Sequence, residues 1–108
     1  MPAQMLVMVF KFNTPPAEYV QAMKPLTGEI LNIPGLRWKI WLINEAQCTA
    51  GGLYLFDDAS CIQTFLTSPL MERLQHHPAL TEFRTMPFDV LEPETKSTYG
   101  PLGAGVRV

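Results

Sequence analysis

Cysteine is scarce in this sequence, since only Cys48 and Cys61 occur among 108 residues. A small secreted domain held together by disulfides would need more cysteines, and neither residue lies in a C-x-x-C pair. The first residues also lack the pattern of a secretory leader, which puts a basic end before an apolar run and a small-residue cleavage site after it. We therefore expect a cytoplasmic protein with two reduced thiols.

Long apolar runs and blocks of basic charge are missing as well. No stretch approaches the roughly 20 apolar residues that a membrane-spanning helix needs. The formal net charge is -2, and no run of Lys or Arg occurs anywhere in the sequence. Because nucleic-acid-binding proteins carry a basic patch, neither nucleic acid nor a membrane is an expected partner.

Motifs for nucleotides and metals are absent too. The sequence contains neither a G-x-x-x-x-G-K-[ST] loop nor a G-x-G-x-x-G turn, and it has no His/Cys cluster at zinc spacing. His76 and His77 are adjacent, and neighbouring side chains on a helix diverge by about 100°. They are therefore poorly placed to share a metal, and the open alternatives are a structural role and a catalytic His.

Four apolar segments have the character of strands. Met5–Phe12 is apolar almost throughout, which is typical of a central strand buried on both faces. Leu36–Asn44 and Thr49–Phe56 are separated by a short loop and predict a hairpin. Leu80–Leu91 contains Pro87, which favours an edge strand or a bulge.

Two helices are predicted between these strands. The first is capped by Thr14, runs for about 16 residues and contains Pro25, which predicts a kink or a break. The second begins after Asp58 and restarts at Ser68-Pro69. The order strand, helix, strand, strand, helix, strand is the ferredoxin-like βαββαβ arrangement, an α+β fold with a four-stranded antiparallel sheet and both helices on one face.

The face of this sheet that the helices leave open should be polar in a monomer. Here Met5–Phe12 is apolar on both sides, and Trp41 and Ile43 add to the face directed away from the helices. The simplest cover for such a patch is a second copy of the sheet, packed about a two-fold axis. We therefore expect a homodimer, with residues 1–93 as the folded domain and 94–108 as a flexible or dimer-wrapping tail.

Four short segments follow one another within roughly residues 5 to 93: Lys24-Pro25-Leu26, Gly35–Trp41, Ala50–Phe56 and Phe88–Pro93. In sequence, order and approximate spacing they resemble the YdhR-type monooxygenase family of the dimeric α/β-barrel superfamily. The resemblance implies a homodimer whose two sheets form a barrel, with an apolar pocket between each sheet and its own helices. It also implies cofactor-independent oxygenation of a small aromatic or quinol-like compound in that pocket.

An oxygenase without a cofactor needs a dry pocket and a group that favours the substrate anion. Trp38 and Tyr54 are catalytic candidates because each joins an aromatic face to a polar tip, and the alternative is that both are ordinary core aromatics. The candidate substrate-binding residues are four further aromatic side chains and one lysine: Phe10, Phe12, Trp41, Phe56 and Lys39.

Two further catalytic candidates are basic. A kink at Pro25 could turn Lys24 into the pocket, and Arg84 could stabilise an oxyanion. The structural alternatives are a solvated helix face for Lys24 and a cross-strand surface pair for Arg84.

Lys39 alternates with Trp38, so a regular strand points the two side chains to opposite faces. With Trp38 in the pocket, Lys39 is expected on the side of the dimer barrel. Its structural alternative there is an ion pair with Glu82 or Asp89.

Each candidate residue of this sequence also has a non-catalytic explanation. A non-catalytic dimer that binds a small apolar ligand is therefore the alternative function. Haem binding or breakdown, which other barrels of this shape perform, is a third possibility.

Overall fold

Four antiparallel strands form one sheet in the computed structural model, which describes residues 2–103. In chain order the strands are β1 (Gln4–Phe12), β2 (Leu36–Asn44), β3 (Thr49–Phe56) and β4 (Leu80–Asp89). Their spatial order is β2-β3-β1-β4, which confirms the ferredoxin-like topology and the interior position of β1. Pro87 lies on the edge strand β4, where the missing N–H of proline is tolerated.

Within the described residues, five short helices accompany the sheet. They are α1 (Pro16–Met23), α2 (Thr27–Leu31), α3 (Ala59–Leu66), α4 (Pro69–Gln75) and α5 (Glu92–Ser97). The break predicted at Pro25 is confirmed, because a 3-10 turn over Lys24–Leu26 separates α1 from α2. The restart at Ser68 is confirmed as well, since its side chain accepts a hydrogen bond from the Met71 amide. No helix within residues 2–103 is long and apolar enough to cross a membrane.

The predicted cap of α1 was wrong. Pro15 is the N-cap residue and makes no side-chain hydrogen bond, while the Thr14 hydroxyl is buried without a partner among the described residues. A proline at the first helical position lacks an N–H that would need a partner, so α1 can begin without a side-chain cap. The cap predicted at Asp58 is confirmed, because its carboxylate accepts from the Cys61 amide at 3.1 Å.

The core lies between the sheet and α1–α4. Alternate side chains of β1, namely Leu6, Met8, Phe10 and Phe12, point to the helices and are at most 6% exposed. On β3, Tyr54 and Phe56 pack against Phe65 of α3 with ring centroids 5.2 and 5.8 Å away. Aromatic packing therefore fills the space between α3 and the sheet.

Strand β2 contains a bulge at Arg37. Leu36 pairs with Phe56 and Trp38 pairs with Leu55, so two steps along β2 match one step along β3. Paired side chains of antiparallel strands share a face, and the extra residue therefore reverses the alternation along β2.

Beyond the bulge, Lys39, Trp41 and Ile43 lie on the helix side of the sheet, where Lys39 pairs with the buried Tyr54. The prediction that these three side chains point away from the helices was therefore wrong, and Trp38 takes the opposite face. The prediction assumed a regular strand, and one additional residue inverts it.

The open face of the sheet is apolar, as predicted, but with different residues from β2. Val7 of β1 pairs with Met86 of β4 and with Leu53 of β3, which in turn pairs with Ile40 of β2. Met86 is 57% exposed, and Phe88 at the end of β4 is 47% exposed. An apolar row thus crosses all four strands without a helix above it.

The chain after β4 returns to the far edge of the sheet. Helix α5 begins at Glu92 and so spans the predicted boundary at residue 93. Residues 98–103, named the strap here, then reach β2, where the carbonyl oxygen of Pro101 accepts from Trp38 Nε1 at 3.1 Å and that of Leu102 accepts from Arg37 at 2.5 Å. Residues 104–108 of the predicted tail lie outside the described part, and wrapping around a partner stays a prediction.

Candidate functional site

A cleft of about 250 Å³ lies between β2 and the broken helix α1–α2. It is lined by residues of α1, the 3-10 turn, α2 and the second half of β2: Tyr19, Val20, Met23, Lys24, Thr27, Trp41, Leu42 and Ile43. A smaller hollow of about 130 Å³ adjoins the cleft, since Thr27 and Trp41 line both. Lys39 and Trp38 also line the hollow. The cleft and the hollow together form the candidate site.

The cleft exists because β2 is longer than the helical layer above it. Tyr19 and Met23 are each 6% exposed and anchor α1 on the sheet, and Pro25 then redirects the chain into the 3-10 turn. The end of β2 continues past this cover, so Trp41 is 39% and Ile43 is 42% exposed. The result is a concave apolar surface with a few polar groups, which is typical of small-molecule sites.

The amine of Lys39 lies where the hollow meets the core. Its Nζ atom is 3.4 Å from the ring centroid of Trp41 and 4.6 Å from that of Tyr54. The faces of both rings attract a cation, which stabilises the ammonium form by about 0.5–2 kcal/mol. Within residues 2–103, no carboxylate forms an ion pair with Lys39.

Gly52 makes room for this lysine. A Cβ atom at Gly52 would lie 2.7 Å from Cε of Lys39 and 3.0 Å from the carbonyl oxygen of Ile40. At the neighbouring Gly51, a Cβ atom would lie 1.9 Å from the carbonyl oxygen of Met8. Glycine within a strand indicates a bulge or a site where another group approaches the backbone closely. Here Gly52 allows the Lys39 side chain to approach, and Gly51 allows the backbone of Met8 to approach.

Burial changes the pKa values around the hollow. It lowers the pKa of Lys39 to about 7, so the amine is divided between its charged and neutral forms near neutral pH. Burial raises the pKa of Tyr19 to about 12, and it raises the pKa of Tyr54 as well, with a smaller contribution from the charge of Tyr19. Of these three groups, Lys39 is the one that can exchange a proton at neutral pH.

The sequence over residues 5–101 matches the family described as "Putative mono-oxygenase ydhR". The chain belongs to this family. Apart from Gln4 at the start of β1, the match includes the four strands and five helices of residues 2–103, and it includes all residues of the cleft and the hollow. Membership of the ydhR family supports a mono-oxygenase-like function. No curated protein matches the sequence.

Solved structures share the fold of this ydhR-family chain at low identity. SnoaB, a cofactor-independent oxygenase from Streptomyces nogalater, is 15% identical with a TM-score of 0.67, over 83% of this chain and 94% of SnoaB. Protein SO0527 from Shewanella oneidensis is 12% identical with a TM-score of 0.68, over 82% and 91%. The heme-degrader MhuD from Mycobacterium tuberculosis is 13% identical with a TM-score of 0.64, over 83% and 96%. At these identities the likeness shows the fold alone.

The structure brings five of the predicted site residues together. Lys24 and Trp41 line the cleft, and Lys39 lines the hollow. Tyr54 is 2% exposed and lies beneath the Lys39 amine. Trp38 borders the hollow at the edge of the sheet, and its indole N–H is already bonded to the strap.

Four other predicted residues lie outside the cleft and the hollow. Phe10, Phe12 and Phe56 are core residues under the helices and are at most 6% exposed. Phe10 also borders a separate hollow of about 150 Å³, which Arg84 lines as well. Arg84 is exposed on β4 and pairs with Val9, which places it on the open face of the sheet.

Sequence reasoning missed several residues that line the cleft. It did not select the buried residues Tyr19 and Met23, and it did not select Val20 or Thr27. Their spacing relative to Lys24 is the signal that could have found them, because residues three or four positions apart share a helix face. Once Lys24 faces a cavity, the residues one turn away on the same side face it too.

The two histidines lie away from this site. Neither His76 nor His77 lines the cleft or the hollow, and Nδ1 of His77 accepts from the Ala79 amide at 3.1 Å. Within residues 2–103, no group of three or more His, Cys, Asp or Glu residues is arranged to hold a metal ion.

Proposed function

We propose that this protein is a cofactor-independent mono-oxygenase that oxidises a small phenol or quinol-like aromatic compound with O2. The observation that carries the proposal is the Lys39 amine, which lies over the Trp41 ring beside an apolar cleft. Because Trp41 lines both cavities, a flat ring bound where the cleft meets the hollow is proposed to reach this amine. The ydhR-family match supports the reaction class, and SnoaB is a cofactor-independent oxygenase of the same fold.

Binding in the cleft is proposed to rest on apolar contact. Tyr19, Val20 and Met23 form one wall and Trp41 the other, and each buried CH₂ of a ligand contributes about 0.8 kcal/mol. Lys24 at the 3-10 turn adds a positive charge to the same cleft. A ring with one ionisable hydroxyl fits this combination of apolar walls and amines.

The neutral amine of Lys39 removes the proton from the phenolic hydroxyl, and the resulting ammonium stabilises the phenolate. The phenolate transfers one electron to O2, which gives an aryloxyl radical and superoxide. The two radicals join at a ring carbon, and the ammonium returns its proton to form a hydroperoxide. Loss of the proton on that carbon breaks the O–O bond and yields a quinone and water. Phenol and O2 are thus converted to quinone and water, and no external reductant is consumed.

The proposed setting of this reaction is a homodimer in the cytoplasm. A second copy packed on the open face would cover Met86, Phe88 and Ile40, which are 57%, 47% and 47% exposed. Tyr99 of the strap, 94% exposed, is the part of the tail that we propose contacts the partner. The free thiols of the described chain fit a compartment that keeps cysteines reduced.

Oxygen uptake tests the proposal. Protein treated with a chelator, and free of flavin absorbance, is mixed with a panel of phenols, naphthols and hydroquinones, with isotopically labelled O2 as oxidant. We expect one labelled oxygen atom in the quinone and one in water. We also expect the rate to rise with pH to a midpoint near the Lys39 pKa of about 7.

The variant Lys39→Met keeps the unbranched stem and removes the base. We expect it to lower kcat by about 10²-fold or more, which is the usual contribution of a general base, and to change ligand affinity much less. Lys96→Met on α5, outside both cavities, is the matched control and should retain full activity. Absence of turnover across the panel, or full activity in Lys39→Met, would contradict the proposal.

The apolar lining of the cleft also favours a second candidate function, a non-catalytic dimer that binds a small aromatic ligand. In that case the same panel would raise the Tm of the protein, and mass spectrometry would recover each ligand unchanged. Titration with haem, which MhuD binds, extends the panel to a large flat ligand. A haem absorption band that Trp41→Ala abolishes would indicate haem as the ligand of the cleft.

A further inference from the structure

The hollow between β2 and α2 contains an amine that forms no ion pair with a carboxylate of residues 2–103. Lys39 reaches it through the space that Gly52 leaves free, and its ammonium contacts the faces of Trp41 and Tyr54. The other residues that line the hollow are Thr27, Ile30, Leu31, Leu36, Arg37, Trp38 and Trp41. The guanidinium of Arg37 is bonded to Asp57 and to the carbonyl oxygen of Leu102, so the rest of the lining around the amine is mostly apolar.

We infer that the Lys39 amine captures an aromatic aldehyde or ketone as an imine in this hollow. An amine buried among apolar groups is the activated form of lysine that carbonyl chemistry uses, because the neutral amine is the nucleophile. The flat ring of Trp41, over which the amine lies, suits an aromatic carbonyl compound rather than a bulky aliphatic one. The sheltered position also protects an imine against hydrolysis.

Protonation supports the same assignment. With a pKa of about 7, roughly half of the Lys39 side chains are neutral at pH 7. An exposed lysine with a pKa near 10.4 is neutral in only about one molecule in 2,500 at that pH. Lys11, Lys24 and Lys96 are all exposed and serve as internal comparisons.

The reaction is a condensation without any change of oxidation state. The nitrogen of Lys39 attacks the carbonyl carbon, and a proton passes from nitrogen to oxygen to give a carbinolamine. Loss of the hydroxyl group with the second nitrogen-bound proton releases water and leaves a C=N bond. Cyanoborohydride then delivers hydride to the carbon, water or buffer protonates the nitrogen, and a stable secondary amine results.

This inference goes beyond the proposed oxygenation and does not depend on it. Imine capture needs a nucleophilic amine and space for a carbonyl compound, whereas oxygenation needs a proton acceptor and access for O2. Trapping of a carbonyl compound on Lys39 without oxygen uptake would support the imine and contradict the oxygenation. Oxygen uptake without such trapping would support the oxygenation and contradict the imine.

Reductive trapping with benzaldehyde tests the inference. The full-length protein is incubated at pH 7 with benzaldehyde and sodium cyanoborohydride, and peptide mass spectrometry follows the benzyl group at each lysine over time. We expect labelling at Lys39 to be about tenfold or more faster than at Lys96, since lower nucleophilicity offsets part of the gain in neutral amine.

Three variants sharpen this experiment. Lys39→Arg keeps the positive charge and should abolish the fast labelling, and Lys96→Arg should leave it unchanged. Gly52→Ala keeps the amine but places a Cβ atom 2.7 Å from its Cε, so the displaced lysine should be labelled at least about threefold more slowly. Circular dichroism confirms that each variant folds. Equal labelling rates at Lys39 and Lys96 in the wild-type protein would overturn the inference.

Discussion

The two faces of the sheet have similar chemistry but different surroundings. On the helix side, Leu6, Met8 and Phe56 are fully buried in the core. On the open face, Met86 and Phe88 are equally apolar and about half exposed. Burial of apolar area contributes about 25 cal/mol per Å². The helix side is buried within one subunit and therefore stabilises the monomer. The open face can contribute a comparable free energy only when a second subunit covers it.

The comparison teaches that one sheet can separate folding from association. Side chains alternate along each strand, so a substitution on one face changes the stability of the subunit, and a substitution at the next position changes its pairing. The helix side of the sheet is called the covered face below. The candidate site lies at its margin, where β2 extends past the helices, so the residues of the site are neither all buried nor all exposed.

The largest effect is expected on the covered face. Phe56→Ala removes a ring that is fully buried and packs against Tyr54 and Phe65, which should lower the free energy of unfolding by about 3–5 kcal/mol. Urea denaturation at two protein concentrations measures the loss, which should be the same at both. A loss below about 1 kcal/mol would mean that this side of the sheet is loosely packed.

A substitution on the open face should change the affinity between subunits instead of the stability of one subunit. Met86→Lys places a charge in the row of Val7 and Leu53, and we expect the Kd of the homodimer to rise by about 30-fold or more, or about 2 kcal/mol. Sedimentation equilibrium measures it. Gln63→Lys on the exposed side of α3 carries the same charge and should leave the Kd unchanged. A wild-type protein that stays monomeric at micromolar concentration would remove the dimer proposal.

The margin of the covered face should show a pH dependence of stability. Burial lowers the pKa of Lys39 in the folded state to about 7, so the unfolded chain binds more protons above that pH. The free energy of unfolding should therefore rise from pH 7 to pH 9, by about 2 kcal/mol. Above about pH 10 the raised pKa values of Tyr19 and Tyr54 act in the opposite direction.

Denaturation of Lys39→Met at the same pH values isolates this contribution. The variant has no amine to desolvate, so its profile should be nearly flat and should exceed the wild-type stability at pH 7. Parallel profiles for the two proteins would show that Lys39 is solvated in the folded state.

The smallest effect concerns the strap, which bonds to the open-face residue Trp38. Trp38→Phe removes the hydrogen bond from Nε1 to the carbonyl oxygen of Pro101 and should cost about 0.5–1.5 kcal/mol. Hydrogen exchange should become faster at residues 98–103 and stay unchanged in β1. Trp41→Phe on the other face is the matched control, and an equal effect of both variants on the strap would contradict this assignment.

The fold could be predicted from the sequence because its signals are local and repeated. The apolar character of Met5–Phe12, the proline at position 25 and the Ser68-Pro69 pair each determine an element or a break, and all were confirmed. Thr14 shows the limit of such signals, because a residue with the right chemistry for a cap was replaced in that role by Pro15.

The site could be predicted only in part. Its residues come from different elements, and a local sequence pattern does not show which of their side chains lie close together. Trp41, Lys24 and Lys39 were selected by residue type, and the structure does bring them together at the cleft and the hollow. Phe10 and Phe56 were selected for the same reason and lie in the core, since aromatic character does not distinguish a pocket wall from a packed interior.

The bulge at Arg37 has a consequence for how such a site can change. If Arg37 were paired with β3 instead of bulged, Trp38 and Ile40 would face α2 and Lys39 would lie outside, although every amino acid stayed the same. The pairing of Arg37 thus selects whether an indole or an amine enters the cavity. Loss of Arg37 would remove the bulge and leave Lys39 paired with Tyr54, so a shift of strand register, and not the loss of a residue, converts one kind of binding site into the other.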